Sequence, residues 1–340
     1  MVVKISNNKV VQKAANLIKK GELVAFPTET VYGLGVDALN PEAIRKIFQA
    51  KGRPSDNPLI VHIADLKDLQ VLAENIPKEA YFLAEKYWPG PLTFILDRQK
   101  IVPDEITGRL ETVAIRMPKN EIALNLIKLS ETPIAAPSAN KSGRPSPTDA
   151  ETVFEDFGNE IAMILDGGKT EFGLESTVID LSKKPFSVLR TGAISKEELE
   201  EFLREKISIA SHADSKPKSP GMKYKHYAPK AELVLVIPAE AGILCFQIQK
   251  LINYYKLEKK KIGVLCRNEN AKNYKNADLV ISVGSIKNLK EISSNLFRTL
   301  RQFDHAKIDI ILSESFPEQG IGQAIMDRLT RASSKSIANF

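Results

Sequence analysis

The stretch around residues 25–63 constrains the fold of this chain more than any other. It reads AFPTETVYGLG, then a helix-like DALNPEAIRKIFQA, then KGRPSDNPLIVHI. The apolar run Leu23–Phe26 predicts a strand that ends at Pro27, because proline lacks the N–H that a strand ladder needs. Leu59–Ile63 predicts a second strand. A strand, a polar loop, a helix and another strand in succession indicate an α/β fold.

The alternation of strand and helix patterns continues along the chain without internal repeats. Further strands are predicted at Leu92–Leu96, Thr112–Arg116 and Ile134–Pro137, and Val153–Phe157, Ala162–Leu165 and Thr177–Leu181 alternate similarly. A segment rich in Ser, Lys and Pro and without an apolar period predicts a linker, after which short strands and amphipathic helices resume. We therefore expect a first domain at residues 1–208, a linker at 209–229 and a smaller α/β domain at 230–340.

Composition and charge limit the class of protein. No apolar run approaches 18 residues and the first residues carry no long apolar region, so we expect a cytoplasmic protein with no membrane span. Residues 1–210 have a net charge of −3 and residues 211–340 of +9. The basic second half is consistent with nucleic acid nearby or with an ordinary lysine-rich surface. The sequence contains no cluster of Cys and His residues that would predict a metal site formed by the protein.

The two common nucleotide fingerprints do not fit. The sequence GKT at 168–170 would end a P-loop, but Met163 stands where the first glycine belongs. Gly33, Gly35 and Ala38 have dinucleotide-turn spacing, but six residues separate them from the preceding strand, whereas that motif turns directly from strand to helix.

Three other segments carry candidate ligand-binding residues. In KGRPSDNP, Lys51 and Arg53 lie in a loop that proline makes rigid. This rigidity favours a role in binding a polyanion over the alternative that the two residues are ordinary solvent-exposed charges. Arg116 ends a strand, where it can bind a ligand carboxylate or form an edge salt bridge. His62, in an apolar strand, is by itself more typical of a core residue. The small donors of APSANKSGRPSPT suit phosphates and ribose, although such a segment is also typical of a surface turn.

These motifs, together with WPGPLT, VAIRMP, LESTVID, LRTG and SPGMKYKHYAP, occur in the expected order over nearly the whole chain. The chain resembles the two-domain threonylcarbamoyl-AMP synthases. The resemblance implies a YrdC-like twisted open mixed sheet with helices, followed by a smaller Rossmann-like α/β domain. It also implies ATP contacts at Arg53, Asn57, Thr112, Ser138, Ser146, Arg190 and Tyr227, L-threonine contacts at Thr30, His62, Arg116, Ala136 and Ser176, and catalytic roles for Lys51 and Arg53.

The implied reaction joins L-threonine, bicarbonate and ATP into L-threonylcarbamoyl-AMP and pyrophosphate, with magnesium accompanying ATP. The product would serve a separate tRNA threonylcarbamoyl transferase complex, with at most a weak direct contact with tRNA. The aromatic, lysine-rich linker with Tyr227 would act as a lid. Two alternatives stay open: a double-stranded RNA- or tRNA-binding module without catalysis, and a carbamoyl transferase of the hydrogenase-maturation kind, which would need zinc-finger segments whose CxxC pairs this sequence lacks.

Overall fold

The computed structural model describes residues 1–4, 8–210, 226–238 and 242–338. The chain forms two compact units. The first contains residues 1–142, 146–171 and 175–224, and the second contains residues 143–145, 172–174 and 225–340. Two short segments that interrupt the sequence of the first unit, 143–145 and 172–174, therefore belong to the second unit. Most of the expected linker, residues 211–225, lies outside the described residues.

One mixed sheet of 12 strands organises the described part of the first unit. Its strands are β1 (Val2–Lys4), β2 (Val24–Phe26), β3 (Gly33–Asp37), β4 (Ile60–His62), β5 (Ala73–Glu74), β6 (Leu92–Arg98), β7 (Thr112–Arg116), β8 (Ile134–Ala135), β9 (Met163–Asp166), β10 (Thr177–Asp180), β11 (Ser187–Arg190) and β12 (Ser208–Ile209). They follow the order β1-β9-β2-β3-β8-β4-β7-β6-β10-β11-β12, with β5 beside β6. Both parallel and antiparallel pairs occur, which confirms the predicted mixed α/β sheet.

Helices cover this sheet. They are α1 (Asn8–Lys19), α2 (Pro41–Lys51), α3 (Asp68–Leu72), α4 (Lys78–Tyr87), α5 (Asp104–Thr107), α6 (Glu121–Ser130), α7 (Ala150–Phe157) and α8 (Lys196–Leu203). Helix α2 shows how local sequence sets these bounds. The Asn40 side chain accepts hydrogen bonds from two backbone N–H groups of its first turn, and Gly52 ends it in the left-handed conformation at φ 61°.

Two local interpretations needed correction. Val153–Phe157, which alternates like a strand, lies in α7, where the Asp149 carboxylate accepts a hydrogen bond from the Thr152 N–H. A pattern of five residues is too short to distinguish the two-residue period of a strand from the 3.6-residue period of a helix. Here the cap favours the helix. Gly33 and Gly35, where no strand was predicted, lie in β3. Glycine is required at position 35, because a Cβ there would lie 2.7 Å from the Phe26 ring.

The second unit is a smaller α/β fold around a parallel five-stranded sheet. Its strands are β13 (Glu232–Val236), β14 (Ile262–Cys266), β15 (Leu279–Ser282), β16 (Ile310–Glu314) and β17 (Lys335–Ile337), in the order β15-β14-β16-β13-β17. Its helices are α9 (Leu244–Leu257), α10 (Leu289–His305) and α11 (Ile321–Ala332). A parallel sheet with helices between its strands agrees with the predicted Rossmann-like α/β class, but the strand order differs from that of the Rossmann fold, because β16 lies between β14 and β13. None of the described helices has the length and apolar character needed to cross a membrane.

Candidate active site

The centre of the candidate site lies where β4 and β7 end. These strands are parallel, and their register pairs His62 with Arg116. Since parallel strands end at the same edge of a sheet, two side chains that are distant in sequence become neighbours. Both are buried, with 4% of each residue exposed. The structure therefore brings together two of the predicted L-threonine contacts.

The Arg116 guanidinium is held from three directions. Its Nη1 donates to Thr30 Oγ1 at 2.9 Å, and its Nε donates to the Gly90 carbonyl at 3.2 Å. Its Nη2 lies 2.8 Å from Glu29 Oε1. That contact has the distance but not the geometry of a hydrogen bond, so Nη2 keeps donor capacity. A fixed guanidinium with an unfilled donor suits a ligand carboxylate.

Thr28 shapes the turn that presents Thr30. Its Oγ1 accepts hydrogen bonds from the Thr30 and Val31 N–H groups and donates to the Val31 carbonyl. The Thr28 and Thr30 hydroxyls are 2.8 Å apart. The turn thus uses its own polar groups internally and is rigid before any ligand arrives.

His62 is a neutral imidazole in this setting. Burial, and then the positive charge of Arg116, lower its pKa to about 3. Its ring lies edge-on to Phe26, and Nδ1 has no hydrogen-bond partner among the described residues. His62 can therefore accept a hydrogen bond from a ligand without adding charge beside Arg116.

Lys51 organises the loop after β8. Its Nζ donates to the carbonyls of Ser138 and Asn140, and its own carbonyl accepts from the Ser142 N–H. Burial, followed by repulsion from Arg53, lowers the pKa of Lys51 well below its ordinary value. Lys51, the predicted catalytic lysine, therefore also stabilises the predicted phosphate-binding loop.

Arg53 and Asn57 lie in the short loop that α2 enters after Gly52. Arg53 Nη2 donates to the Pro58 carbonyl at 3.0 Å and to the Asn57 carbonyl at 3.3 Å. Asn57 is buried, and its Oδ1 accepts no hydrogen bond from any residue that the structure describes. Hydrogen bonds within the loop therefore stabilise it, and the buried Asn57 Oδ1 stays available to accept a hydrogen bond from a ligand.

Three further side-chain contacts involve the loop that precedes β10. Ser146 Oγ donates to Glu175 Oε1 at 2.6 Å. Arg190 Nη2 donates to Ser176 Oγ, and its Nε to the Ser176 carbonyl, both at 3.0 Å. The Ser176 and Thr93 hydroxyls lie 2.7 Å apart. Ser176 and Arg190, predicted to contact different substrates, are thus direct neighbours.

Backbone hydrogen bonds lock these loops to one another. Ala139 N–H donates to the Tyr32 carbonyl, and Tyr32 N–H donates to the Pro147 carbonyl. Glu171 N–H donates to the Glu29 carbonyl. The PTET turn, the loop after β8 and the loop before β10 therefore form one interlocked layer within the first unit.

The remaining predicted residues are more dispersed. Ala136 N–H donates to the Ile60 carbonyl, beside the strand that carries His62. Thr112 begins β7, four residues and about 13 Å before Arg116. Tyr227 belongs to the second unit, where its ring stacks on Phe297 with centroids 5.0 Å apart. Its contact with a nucleotide stays a prediction.

Three buried polar residues in or beside this layer were given no functional role from the sequence: Glu29, Thr93 and Glu175. Glu29 and Glu175 stand inside the motifs PTET and LEST, beside residues that were singled out. A carboxylate next to a hydroxyl residue and close to an apolar strand is the signal that could have identified these two glutamates. Within the described residues, no group of three or more His, Cys, Asp or Glu side chains is arranged to hold a metal ion.

Comparisons with known proteins agree with this arrangement. Residues 16–192 match the Sua5/YciO/YrdC family, described as "Telomere recombination", and residues 194–334 match "Threonylcarbamoyl-AMP synthase, C-terminal domain". The threonylcarbamoyl-AMP synthase of Pyrococcus abyssi is 51% identical over 95% of this chain and 94% of its own. That of Bacillus subtilis is 47% identical over 96% and 94%.

A solved structure is similar over both units. The crystal structure of P. abyssi Sua5 complexed with L-threonine superposes with a TM-score of 0.93 and 46% identity, covering 99% of each chain. Two family matches in sequence order, two curated relatives over nearly full length and this superposition agree with one another. The chain belongs to the Sua5/YciO/YrdC family and, with its second domain, to the two-domain threonylcarbamoyl-AMP synthases.

Proposed function

We propose that this protein is an L-threonylcarbamoyladenylate synthase that converts L-threonine, bicarbonate and ATP into L-threonylcarbamoyl-AMP and pyrophosphate. The observation that carries the proposal is the interlocked layer of the first unit. It joins a buried guanidinium with an unfilled donor to loops that are pinned by Lys51 and stiffened by proline. Full-length relatives that carry this enzyme's name support the same conclusion.

The reaction requires positioning and charge neutralisation more than a protein nucleophile. The amine of L-threonine adds to the carbon of bicarbonate-derived CO2 and loses a proton, which forms a carbamate. A carbamate oxygen then bonds to the α-phosphorus of ATP. The bond from that phosphorus to the bridging oxygen breaks, and pyrophosphate leaves with the electron pair.

The residues around Arg116 fit the amino-acid half of this reaction. Arg116 would bind the L-threonine carboxylate through Nη2, and neutral His62 would accept a hydrogen bond beside it. Thr30, Ala136 and Ser176 would complete this subsite. An enclosed, largely desolvated subsite also protects a carbamate, which is unstable in bulk water.

Cations and small donors would hold the nucleotide. Lys51 and Arg53 would offset charge on the phosphates as pyrophosphate leaves. The other proposed ATP contacts are Asn57, Thr112, Ser138, Ser146, Arg190 and Tyr227. Magnesium would arrive with ATP, since it commonly keeps substrate phosphates and water as ligands.

The product is a mixed carbamic–phosphoric anhydride, so a second enzyme must consume it quickly. We propose a tRNA threonylcarbamoyl transferase complex, which would move the group to an adenosine next to the anticodon. A weak direct contact with tRNA and a cytoplasmic location belong to the same proposal.

The decisive experiment follows radiolabelled bicarbonate. With ATP and L-threonine, label should enter a nucleotide product that co-migrates with L-threonylcarbamoyl-AMP, with one pyrophosphate released per product. Omitting L-threonine or bicarbonate should abolish pyrophosphate release. Equal release without L-threonine would contradict the proposal, as would tight binding of duplex RNA without any nucleotide turnover.

A further inference from the structure

The loop that follows β9 lies beside the PTET turn in the first unit. Residues 167–171 read GGKTE and contain the GKT sequence that does not complete a P-loop. Strands β2 and β9 are parallel neighbours, so the PTET turn after β2 and residues 167–171 after β9 leave the sheet at the same edge. We call residues 167–171 the GGKTE loop.

Tyr32 holds the beginning of the GGKTE loop. The side chain is fully buried, and its hydroxyl donates to the Gly168 carbonyl at 2.7 Å and accepts from the Gly167 N–H at 3.2 Å. Burial raises the pKa of the Tyr32 phenol, so the group stays a neutral donor. The Asp166 carboxylate accepts from the Gly168 N–H at 3.0 Å. Side chains therefore fix the backbone that leads into Lys169.

Backbone hydrogen bonds hold the other end of the GGKTE loop. Thr170 N–H donates to the Thr148 carbonyl at 3.0 Å, and Glu171 N–H donates to the Glu29 carbonyl at 3.1 Å. Thr148 belongs to the same loop as Ser146, in the proposed nucleotide half of the site, and Glu29 belongs to the PTET turn, in the proposed amino-acid half. Lys169 therefore lies in a fixed loop where the two halves meet.

Two polar groups of the GGKTE loop are not used within the protein. Lys169 is exposed and forms no hydrogen bond or ion pair with any residue that the structure describes. Thr170 Oγ1 is buried and also has no hydrogen-bond partner in that part of the chain. Buried hydroxyls ordinarily have a partner, and an ammonium next to a hydroxyl suits a small oxyanion.

The proposed reaction uses three anions, and two of them already have a proposed cation. Arg116 would bind the L-threonine carboxylate, and Lys51 and Arg53 would bind the phosphates. Bicarbonate, the third anion, has no proposed contact. Its carbon becomes bonded to the L-threonine nitrogen and one of its oxygens to the α-phosphorus, so it has to bind between the amino-acid half and the nucleotide half.

We propose that the GGKTE loop binds bicarbonate and the carbamate that forms from it. Lys169 would contact the anion with its ammonium, and Thr170 would donate a hydrogen bond from its hydroxyl. Tyr32 is a positioning residue that acts through the backbone of the loop. The proposal rests on the proposed synthase function and adds to it the residues that hold the third substrate.

The test is steady-state pyrophosphate release by the full-length chain. Bicarbonate is varied in sealed vessels at constant pH with saturating ATP and L-threonine, and the KM for each of these two is then measured at saturating bicarbonate. Lys169→Ala should raise the KM for bicarbonate about tenfold and change kcat little, because a charge-assisted contact is lost from ground state and transition state alike. Lys169→Arg should recover most of this loss. Thr170→Val should raise the same KM by a smaller factor.

A double variant tests the positioning role of Tyr32. Tyr32→Phe keeps the buried ring and removes only the hydroxyl that fixes the loop, so it should also raise the KM for bicarbonate. Combined with Lys169→Ala, its effect should be clearly smaller than the product of the two single effects, because Tyr32 acts largely through Lys169. If the two effects multiplied in full, Tyr32 would have only a structural role.

Matched controls are available in the first unit. Lys183→Ala removes another exposed lysine from a loop, and Tyr87→Phe removes another buried phenol, whose hydroxyl bonds to Glu198. Both should keep the three KM values of the parent. The proposal is wrong if Lys169→Ala keeps the parent KM for bicarbonate, or if its KM for ATP or L-threonine rises as much. Absence of pyrophosphate release in the parent itself would instead contradict the synthase function, so the two failures are distinguishable.

Discussion

Glu29 and Arg116 form a buried ion pair, with Oε1 and Nη2 2.8 Å apart and side chains only 2% and 4% exposed. Neither residue is near the other in sequence. Thr30 and Gly90 fix the planar guanidinium, and with it the direction of the remaining Nη2 donor, while Glu29 supplies the counter-charge beside that donor. The pair therefore prepares the proposed carboxylate site before L-threonine binds.

Replacing Glu29 by Gln should leave Arg116 buried without a counter-charge. Breaking a buried pair in this way costs about 3 kcal/mol of unfolding free energy. We also expect the KM for L-threonine to rise while kcat changes little, because an Arg116 that leaves this position when it loses its counter-charge binds ground state and transition state equally poorly. Denaturant unfolding and steady-state kinetics measure the two effects.

The control is Glu22→Gln. Glu22 pairs with Lys46 at 3.0 Å, but the side chains are 46% and 43% exposed, so the change should cost under about 1 kcal/mol. If Glu29→Gln behaved like this surface variant in both assays, the positioning role of Glu29 would be refuted.

Lys51→Ala and Arg53→Ala should each lower kcat by about two to three decades. A charge-assisted contact that strengthens in the transition state is worth about 2–4 kcal/mol. Arg116→Ala should instead mainly raise the KM for L-threonine. Lys46→Ala, a surface lysine on the same helix as Lys51, is the matched control. Parent-like kinetics in the Lys51 and Arg53 variants would exclude the phosphate assignment.

The lowered pKa of Lys51 predicts a pH-dependent stability. In the unfolded chain this lysine titrates near its ordinary value of 10.5, so in the window below that value the unfolded state binds the proton more strongly. The free energy of unfolding should therefore rise with pH across that window. Lys51→Met should remove this rise, and the difference between the two proteins, measured by urea unfolding between about pH 7 and 10, isolates the lysine. Parallel pH profiles would show that burial does not shift its pKa.

Cutting the chain after residue 208 should leave a folded first unit with poor activity. Residues 143–145 belong to the second unit, where Arg301 donates to the Pro145 carbonyl and Ala228 N–H to the Gly143 carbonyl. The truncated chain loses both donors just before Ser146, so the KM for ATP should rise. Circular dichroism checks the fold, and nucleotide kinetics check the site.

The lid hypothesis for the linker has its own test. ATP together with L-threonine should protect residues 209–229 from limited proteolysis, followed by mass spectrometry. Equal cleavage with and without ligands, combined with full activity of the truncated chain, would count against a lid.

Local sequence was sufficient to predict element type wherever it contained a strong signal. Pro27, Pro41 and Gly52 mark the ends of a strand and a helix through backbone geometry that each residue carries with it. Strand Thr112–Arg116 was predicted at its observed bounds. The pattern of Val153–Phe157 was ambiguous, because the carboxylate that caps the helix belongs to Asp149, which precedes these five residues.

The motifs identified the family from the sequence, but only the tertiary structure decided how their residues meet. The order β8-β4-β7 places His62 beside Arg116, and the interlocked loops bring Lys51 to the carbonyls of Ser138 and Asn140. Strand order, register and burial arise from contacts between distant segments, whereas periodicity and capping are local. For that reason the Glu29–Arg116 pair and the lowered pKa values of Lys51 and His62 could not be read from sequence patterns.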